Sequence, residues 1–147
     1  MRKTADNNII QAPENVYLYK AVSQITNAGD GLYTAINIYK DEIIATFKGE
    51  KLNDALARKR AKKGNDQYFI SMLDGSIMDS IKSTCLAKYA NDAIGLGDSG
   101  FKNNSRIALD ENDNVCIIAN KIIKSGDEIF CGYGKRYWKK YLTAHKI

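Results

Sequence analysis

Residues 124–138 have the sequence KSGDEIFCGYGKRYW, which combines a turn, a short strand and closely spaced aromatic side chains. Ser125 and Gly126 predict the turn, and residues 128–131 are predicted to form the strand. Tyr133 follows with glycine on both sides. Glycine weakens a strand and often marks a place where backbone or ligand approaches closely. The stretch is therefore predicted either to contribute Tyr133 to an active site or to be an ordinary strand end.

The size and composition of the chain predict one soluble domain. Its 147 residues are enough to bury a single core, and 44% hydrophobic with 27% charged residues is typical of a globular protein. No apolar run approaches the roughly 20 residues that a membrane-spanning helix needs. Residues 1–8 are followed by no long apolar stretch, so they do not resemble a secretory signal. We therefore expect an intracellular protein, nuclear or cytoplasmic and not secreted, without a membrane partner.

The cysteine and histidine content argues against a metal centre. Cys85, Cys116 and Cys131 form no Cys-x-x-Cys pair, so we expect reduced thiols and neither a disulfide framework nor a structural zinc site. His145 is the only histidine, which argues against histidine-dependent nucleophilic triads and multi-histidine metal sites. We expect no metal, and the chemistry must use other groups.

The net charge of +5 suggests an acidic partner. Basic residues cluster at 58–63 and at 135–140. The first cluster is interpreted either as the solvated face of a helix or as a contact to nucleic acid or nucleosomes. Both interpretations stay open from the sequence alone.

The local patterns predict a mainly β protein with short helices. The predicted strands are 16–22, 32–36, 43–47, a hairpin of 68–72 and 76–79, a hairpin of 105–109 and 115–120, and 128–131. A helix is predicted over 52–63, capped by Asn53 or Asp54, and a shorter one over 85–89. Residues 90–105 are rich in glycine, asparagine and aspartate and predict a loop.

Several short motifs occur in a characteristic order between about Val16 and Trp138. They are Gly29-x-Gly31, residues 47–50, Met78-Asp79, residues 89–92, Asn104, residues 122–128 and Tyr133-Gly134. This order resembles the SET-domain protein-lysine methyltransferases. The resemblance implies a β-clip fold of several small sheets whose C-terminal segment is threaded as a pseudoknot. It also implies an N-terminal arm at 1–15, a SET domain at 16–138 with an insert at about 52–78, and a basic tail at 139–147.

The resemblance further implies a cofactor, S-adenosylmethionine, with S-adenosylhomocysteine as product and no metal. Residues implied to bind this methyl donor are Ala28, Gly29, Asp30, Gly31, Leu32, Tyr89, Asn91, Asp92 and Trp138. Glycine in the first motif lets backbone approach a ligand without a Cβ clash, although a plain β-turn is the alternative. Asp92-Ala93 stands where the family carries His-Ser. Threading of the C-terminal segment is expected to bring Asn91 and Tyr133 together, with Asn104, or Asn103 in its place, ending the central motif.

Tyr133 matches the catalytic tyrosine of the family, and Tyr137 and Cys131 are implied to lie on the substrate side. Methyl transfer is an in-line displacement by a neutral amine, so alignment of the reactants and a desolvated lysine channel are the main requirements. Trp138 is expected either to stack on adenine or to pack in the core. The implied function is methylation of a lysine in a histone or another protein.

Two alternatives remain at the level of the sequence. One is a nucleic-acid-binding module that uses both basic clusters, with Tyr137 and Trp138 stacking on bases. The other is a relative that keeps the SET fold but has lost turnover, an interpretation based on Asp92 and Cys131.

Overall fold

A computed structural model describes residues 8–66, 68–72, 76–94 and 99–132. The strands of this part are β1 Leu18–Val22, β2 Asp30–Thr34, β3 Ile43–Thr46, β4 Glu50–Leu52, β5 Phe69–Ser71, β6 Ile77–Asp79, β7 Ser105–Leu109, β8 Val115–Ala119, β9 Glu128–Ile129 and β10 Cys131–Gly132. The helices are α1 Glu14–Tyr17 and α2 Asp54–Lys62, with a turn of 3-10 helix at Ala87–Tyr89. Short strands in three small sheets confirm the prediction of a mainly β protein.

The first sheet has the order β1-β2-β9, and both pairings are antiparallel. Leu32 of β2 lies opposite Ile129 of β9, and both side chains are fully buried. The short C-terminal strand is thereby fixed to the strand that follows Gly29, which brings two distant motifs together.

The second sheet has the order β10-β7-β8-β3. Its β7–β8 hairpin was predicted from the alternation of residues around the Asp/Asn-rich turn, and it is confirmed. Ile117 of β8 and Ile44 of β3 are buried at its centre. β10 joins the sheet by a parallel pairing with β7, so the C-terminal segment passes from the first sheet into the second.

The third sheet has the order β4-β6-β5, and helix α2 lies between β4 and β5 in the sequence; the insert was predicted at about residues 52–78, in the same part of the chain. The helix begins where expected, because the Asn53 side chain accepts a hydrogen bond from the Leu56 N–H (2.9 Å). Leu52 belongs to β4 and not to the helix; a strand at Glu50–Leu52 was not predicted. Gly64, with φ of 76°, follows the end of the helix, in agreement with the predicted stop.

The predicted strand at 16–22 was wrong in its first two residues. Val16 and Tyr17 belong to α1, where the Val16 N–H donates to the carbonyl of Pro13 (3.0 Å). The hydroxyl of buried Tyr17 donates to the carbonyl of Ile44 (2.7 Å), which fixes this turn on β3. A tertiary contact thus overrides the β-like composition. The second strand begins at Asp30 and ends at Thr34, two residues earlier at each end than predicted.

The predicted strand at 128–131 is two strands in two different sheets. The break falls at Phe130, whose N–H donates to the side chain of Asn104 (3.0 Å) instead of to a neighbouring strand. At Phe130 the chain leaves the first sheet, and it enters the second sheet at Cys131.

Residues 8–15 of the predicted N-terminal arm lie against β3. Ile9 forms a parallel bridge with Ile43, and Ile10 is buried. Cys85, Cys116 and Cys131 are all buried and free of disulfides. Among the described residues, no helix is long and apolar enough to cross a membrane.

Candidate active site

The C-terminal strand runs between the two ends of the loop that follows Asn91. On one side the Cys131 N–H donates to the carbonyl of Asn91 (2.8 Å). On the other side the N–H groups of Asn104 and Ser105 donate to the carbonyl of Phe130 (3.0 and 3.1 Å). Residues 130–132, which we call the threaded segment, are therefore hydrogen-bonded to both ends of the loop. This is the arrangement that the resemblance implied for the C-terminus.

Asn104 holds the threaded segment where it leaves the first sheet. Its side chain is buried, donates to the carbonyl of Glu128 (3.0 Å) and accepts from the Phe130 N–H (3.0 Å). The amide replaces a missing strand partner on both sides of the break. Asn104 is thus a structural clamp, in agreement with its expected place at the end of the central motif.

Asn91 contacts the glycine loop, residues 28–32, from the other side. Its side-chain amide donates to the carbonyl of Asp30 (3.0 Å), although the two residues are 61 positions apart. Gly29 has a φ of 74°, a conformation that side chains other than glycine rarely adopt. The structure therefore brings Asn91 to the loop of Gly29 and Asp30, residues for which the resemblance implied a common role in donor binding, and that role stays a prediction.

Gly31 is required for a reason that the sequence did not suggest. A Cβ at this position would collide with the carboxylate of Glu128, which lies directly against the loop. That carboxylate is buried and accepts from the Ser23 hydroxyl (2.6 Å) and the Gln24 N–H (2.8 Å). The Tyr33 hydroxyl also lies 3.2 Å from it. Sequence analysis missed Glu128 as a site residue, because nothing local indicates that it reaches the glycine loop.

Tyr89 lies beside this contact and is flanked by two cations. The Lys20 ammonium is 5.0 Å from the centre of the Tyr89 ring and 3.8 Å from the carboxylate of Asp30. The Lys88 ammonium is 5.3 Å from the same ring. Tyr68 packs edge-on against Tyr89, with ring centres 6.4 Å apart. The described part of the site is thus an aromatic and positively charged surface next to Asn91.

Tyr68 and Lys88 were not identified as site residues from the sequence. Lys88 donates to the carbonyls of Ser80, Ile81 and Ser83 (3.3, 3.4 and 2.6 Å), so its ammonium holds the preceding turn. Burial is the main cause that raises the pKa of Tyr68, followed by the neighbouring Tyr89. The sequence did not indicate that Tyr68 lies in the site, because its contact with Tyr89 depends on how the third sheet packs.

The remaining expected site residues differ in accessibility. Ala28 is half-buried, whereas the side chain of Leu32 is fully buried in the core, so only its backbone could face a ligand. Cys131 is fully buried, and burial raises the pKa of its thiol to about 12. The thiol is therefore neutral at physiological pH, and contact with a substrate stays a prediction. Tyr133, Tyr137 and Trp138 lie outside the described residues.

Asp92 is half-buried and points to the far end of the loop. It accepts from the side chain of Asn103 (2.9 Å) and from the Ile94 N–H (3.1 Å). Its expected role in donor binding stays a prediction. Among the described residues, no three histidine, cysteine, aspartate or glutamate side chains group together as a metal site would require.

Comparison with known families agrees with this geometry. The family model of the SET domain matches residues 29–134, which is most of the chain, and the chain therefore belongs to the SET-domain family. This is a family of protein methyltransferases, and it uses S-adenosylmethionine. The matched range includes the glycine loop, Asn91 and the threaded segment. No curated protein matches the chain.

Proposed function

We propose that this chain is an S-adenosylmethionine-dependent protein-lysine N-methyltransferase. The observation that carries the proposal is the contact of the Asn91 side chain with the carbonyl of Asp30 (3.0 Å) at the edge of the threaded segment. This contact joins the glycine loop to Asn91, and both lie within the range that matches the SET domain. Tyr133 directly follows Gly132, the last residue of that segment, in the sequence.

The described residues fit the methyl donor. S-adenosylmethionine carries a carboxylate, an amino group and an adenine ring. Lys20 offers a half-exposed ammonium, Asp30 and Asn91 offer polar groups, and Tyr89 offers an aromatic face within the same small area. These four residues, with the backbone of Gly29, would hold the donor. When bound, the donor supplies a methyl group on a positively charged sulfur.

The contribution of the chain is to align the lysine amine and keep it uncharged. A poorly solvated aromatic surrounding lowers the pKa of an ammonium group, because burial disfavours the charged form. Tyr68 and Tyr89, with ring centres 6.4 Å apart, provide an aromatic surface beside Asn91. The hydroxyl of Tyr133 is the group proposed to orient the amine and stabilise charge in the transition state.

The proposed substrate is a lysine side chain of a nucleic-acid-associated protein such as a histone tail, in the nucleus or cytoplasm. Helix α2 and the residue that follows it support this through the exposed cations Arg58, Lys59, Lys62 and Lys63. Arg60 does not belong to this surface, because it is paired with Glu50 and Asp79. These four exposed cations could contact the acidic nucleic acid that accompanies such a substrate.

The test is detection of methyl transfer by mass spectrometry, with mixed histones and a cell lysate as substrates. The wild-type protein is expected to add methyl groups to lysine. Tyr133→Phe should reduce turnover by about 10²-fold or more, in line with the loss of one stabilising hydroxyl, while circular dichroism stays unchanged. Tyr19→Phe, a change at an exposed tyrosine on β1, serves as the control and should keep activity.

Three results would contradict the proposal. Full turnover in Tyr133→Phe would remove the assigned role of the hydroxyl. Donor binding without transfer to any substrate would favour a relative that has lost turnover. Absence of donor binding, together with nucleic-acid binding that weakens steeply with salt, would favour the nucleic-acid-binding module.

A further inference from the structure

Asp92 and Asn103 lie at the two ends of the loop between Asn91 and Asn104, and their side chains are hydrogen-bonded to each other. The Asn103 side-chain N–H donates to the carboxylate of Asp92 (2.9 Å), and the side-chain oxygen of Asn103 accepts from the Ala93 N–H (2.8 Å). The same carboxylate oxygen of Asp92 accepts from the Ile94 N–H (3.1 Å). The two hydrogen bonds of Asn103 join the two ends of the loop, the Ile94 N–H fixes the Asp92 carboxylate at one end, and we call the Asp92–Asn103 pair the loop clasp.

The loop clasp lies directly against the threaded segment. A Cβ built on Gly132 would be 3.1 Å from the side-chain nitrogen of Asn103, so the amide is packed on the Gly132 backbone. The same loop also stacks Phe101 on Phe130, with ring centres 5.2 Å apart. The Asn103 amide is thus held by Asp92 on one side and limits the position of Gly132 on the other.

We propose that the loop clasp is a positioning device that sets the backbone at Gly132, the residue that directly precedes the proposed catalytic Tyr133 in the sequence. The proposal rests on the proposed methyltransferase function. It gives a specific reason for aspartate at position 92, because a hydrogen bond from an amide to a carboxylate is stronger than one to a neutral acceptor. Asp92 is therefore a positioning residue, and its carboxylate acts through Asn103 rather than on the reactants.

Methyl transfer depends strongly on alignment, so a small shift of Gly132 has a large effect on the rate. A misplacement of about 1 Å can lower a rate by about 10²-fold. Asp92→Ala leaves the Asn103 N–H without its acceptor, and the remaining hydrogen bond from the Ala93 N–H holds the amide less firmly against Gly132. We expect kcat to fall by about 10- to 100-fold, whereas KM for the donor changes by less than about twofold, because Asn91 and Asp30 are untouched.

Asp92→Asn is the conservative variant, because it keeps an acceptor oxygen for the Asn103 amide. It should restore most of the turnover that Asp92→Ala loses. The matched control is Asp110→Ala, at the opposite end of β7, where Asp110 closes another loop by accepting from the Asn114 side chain (3.1 Å). This variant removes a similar aspartate–asparagine hydrogen bond and should leave kcat unchanged.

A second readout does not depend on activity. In a nitrogen-15 NMR spectrum, the amide signals of Gly132 and Tyr133 should shift or broaden in Asp92→Ala, and they should stay in place in Asp92→Asn and Asp110→Ala. Unchanged signals in Asp92→Ala, or a loss of kcat no larger than in Asp110→Ala, would overturn the positioning role. Absence of transfer by the wild-type protein would instead count against the proposed function, while the NMR comparison would still decide the role of the loop clasp.

Discussion

Glu128 in the site and Asp79 in the insert are both buried acidic residues that lie against a glycine. Glu128 leaves no room for a Cβ at Gly31, and the backbone of Asp79 leaves none at Gly49. Their hydrogen-bond donors differ. Glu128 is held by neutral groups, including the Ser23 hydroxyl (2.6 Å), whereas Asp79 is held by the guanidinium of Arg60 (2.8 Å).

The comparison shows that a buried acidic residue beside a glycine has a different role in the insert and in the site. Arg60 pairs with both Asp79 and Glu50, and it thereby ties helix α2 to β6 and β4. These ion pairs hold the elements of the insert together. Glu128 connects the core directly to Gly31, two residues from Gly29. Changes near Glu128 should therefore affect donor binding, and changes near Asp79 should affect stability alone.

The largest effect is expected for Gly31→Ala. The added methyl group collides with the Glu128 carboxylate, and overpacking of a buried position costs about 1–3 kcal/mol. Because the loop must move, we expect donor affinity to fall at least about tenfold, the equivalent of about 1.4 kcal/mol. Thermal unfolding and calorimetric titration with S-adenosylhomocysteine measure the two effects. Gly126→Ala, at a glycine with φ of 91° and open space around its Cβ position, should lose stability without losing donor affinity.

Arg60→Ala should lower the melting temperature and leave donor affinity unchanged. The substitution leaves the fully buried side chain of Asp79 without its cation, and an unpaired buried charge is strongly destabilising. Arg58→Ala, on the exposed face of the same helix, is the control and should change the melting temperature much less. Equal effects of the two variants, or a loss of donor binding in Arg60→Ala, would remove the distinction between the two regions.

Tyr33→Phe should have the smallest effect. Its hydroxyl contacts the carbonyl of Val22 (2.6 Å) and the Glu128 carboxylate (3.2 Å), and one such hydrogen bond contributes about 0.5–1.5 kcal/mol. The ring stack with Tyr19, at 5.5 Å, is retained. Urea unfolding would measure the change, with Tyr19→Phe as the control in the other ring of the pair. An equal loss in the two variants would show that the Tyr33 hydroxyl makes no specific contribution to holding Glu128.

Local signals predicted the elements that depend on neighbouring residues. Helix α2 follows from the Asn53 cap and the alanine and leucine spacing, and the β7–β8 hairpin follows from alternation around an Asp/Asn-rich turn. The break at Phe130 was not predictable, because it depends on the side chain of Asn104, 26 positions away. A β-like pattern cannot distinguish one continuous strand from two strands in different sheets.

The same limit applies to the site. The resemblance to a known family placed Asn91 and the glycine loop together, and their contact across 61 positions agrees with it. Periodicity and composition alone would not have given that contact. Three further contacts arise only from tertiary packing, and no motif in the sequence indicated them. They are the close approach of Glu128 to Gly31, the Tyr68–Tyr89 pair and the loop clasp.

The most direct test of the proposed donor site is calorimetric titration of three proteins with S-adenosylhomocysteine. The wild-type protein should bind, and Asn91→Ala should bind at least about tenfold more weakly, because it loses the amide that meets Asp30. Asn112→Ala, at an exposed position of the β7–β8 loop, should match the wild type. Absence of binding by the wild type, or equal affinities for Asn91→Ala and Asn112→Ala, would contradict the account.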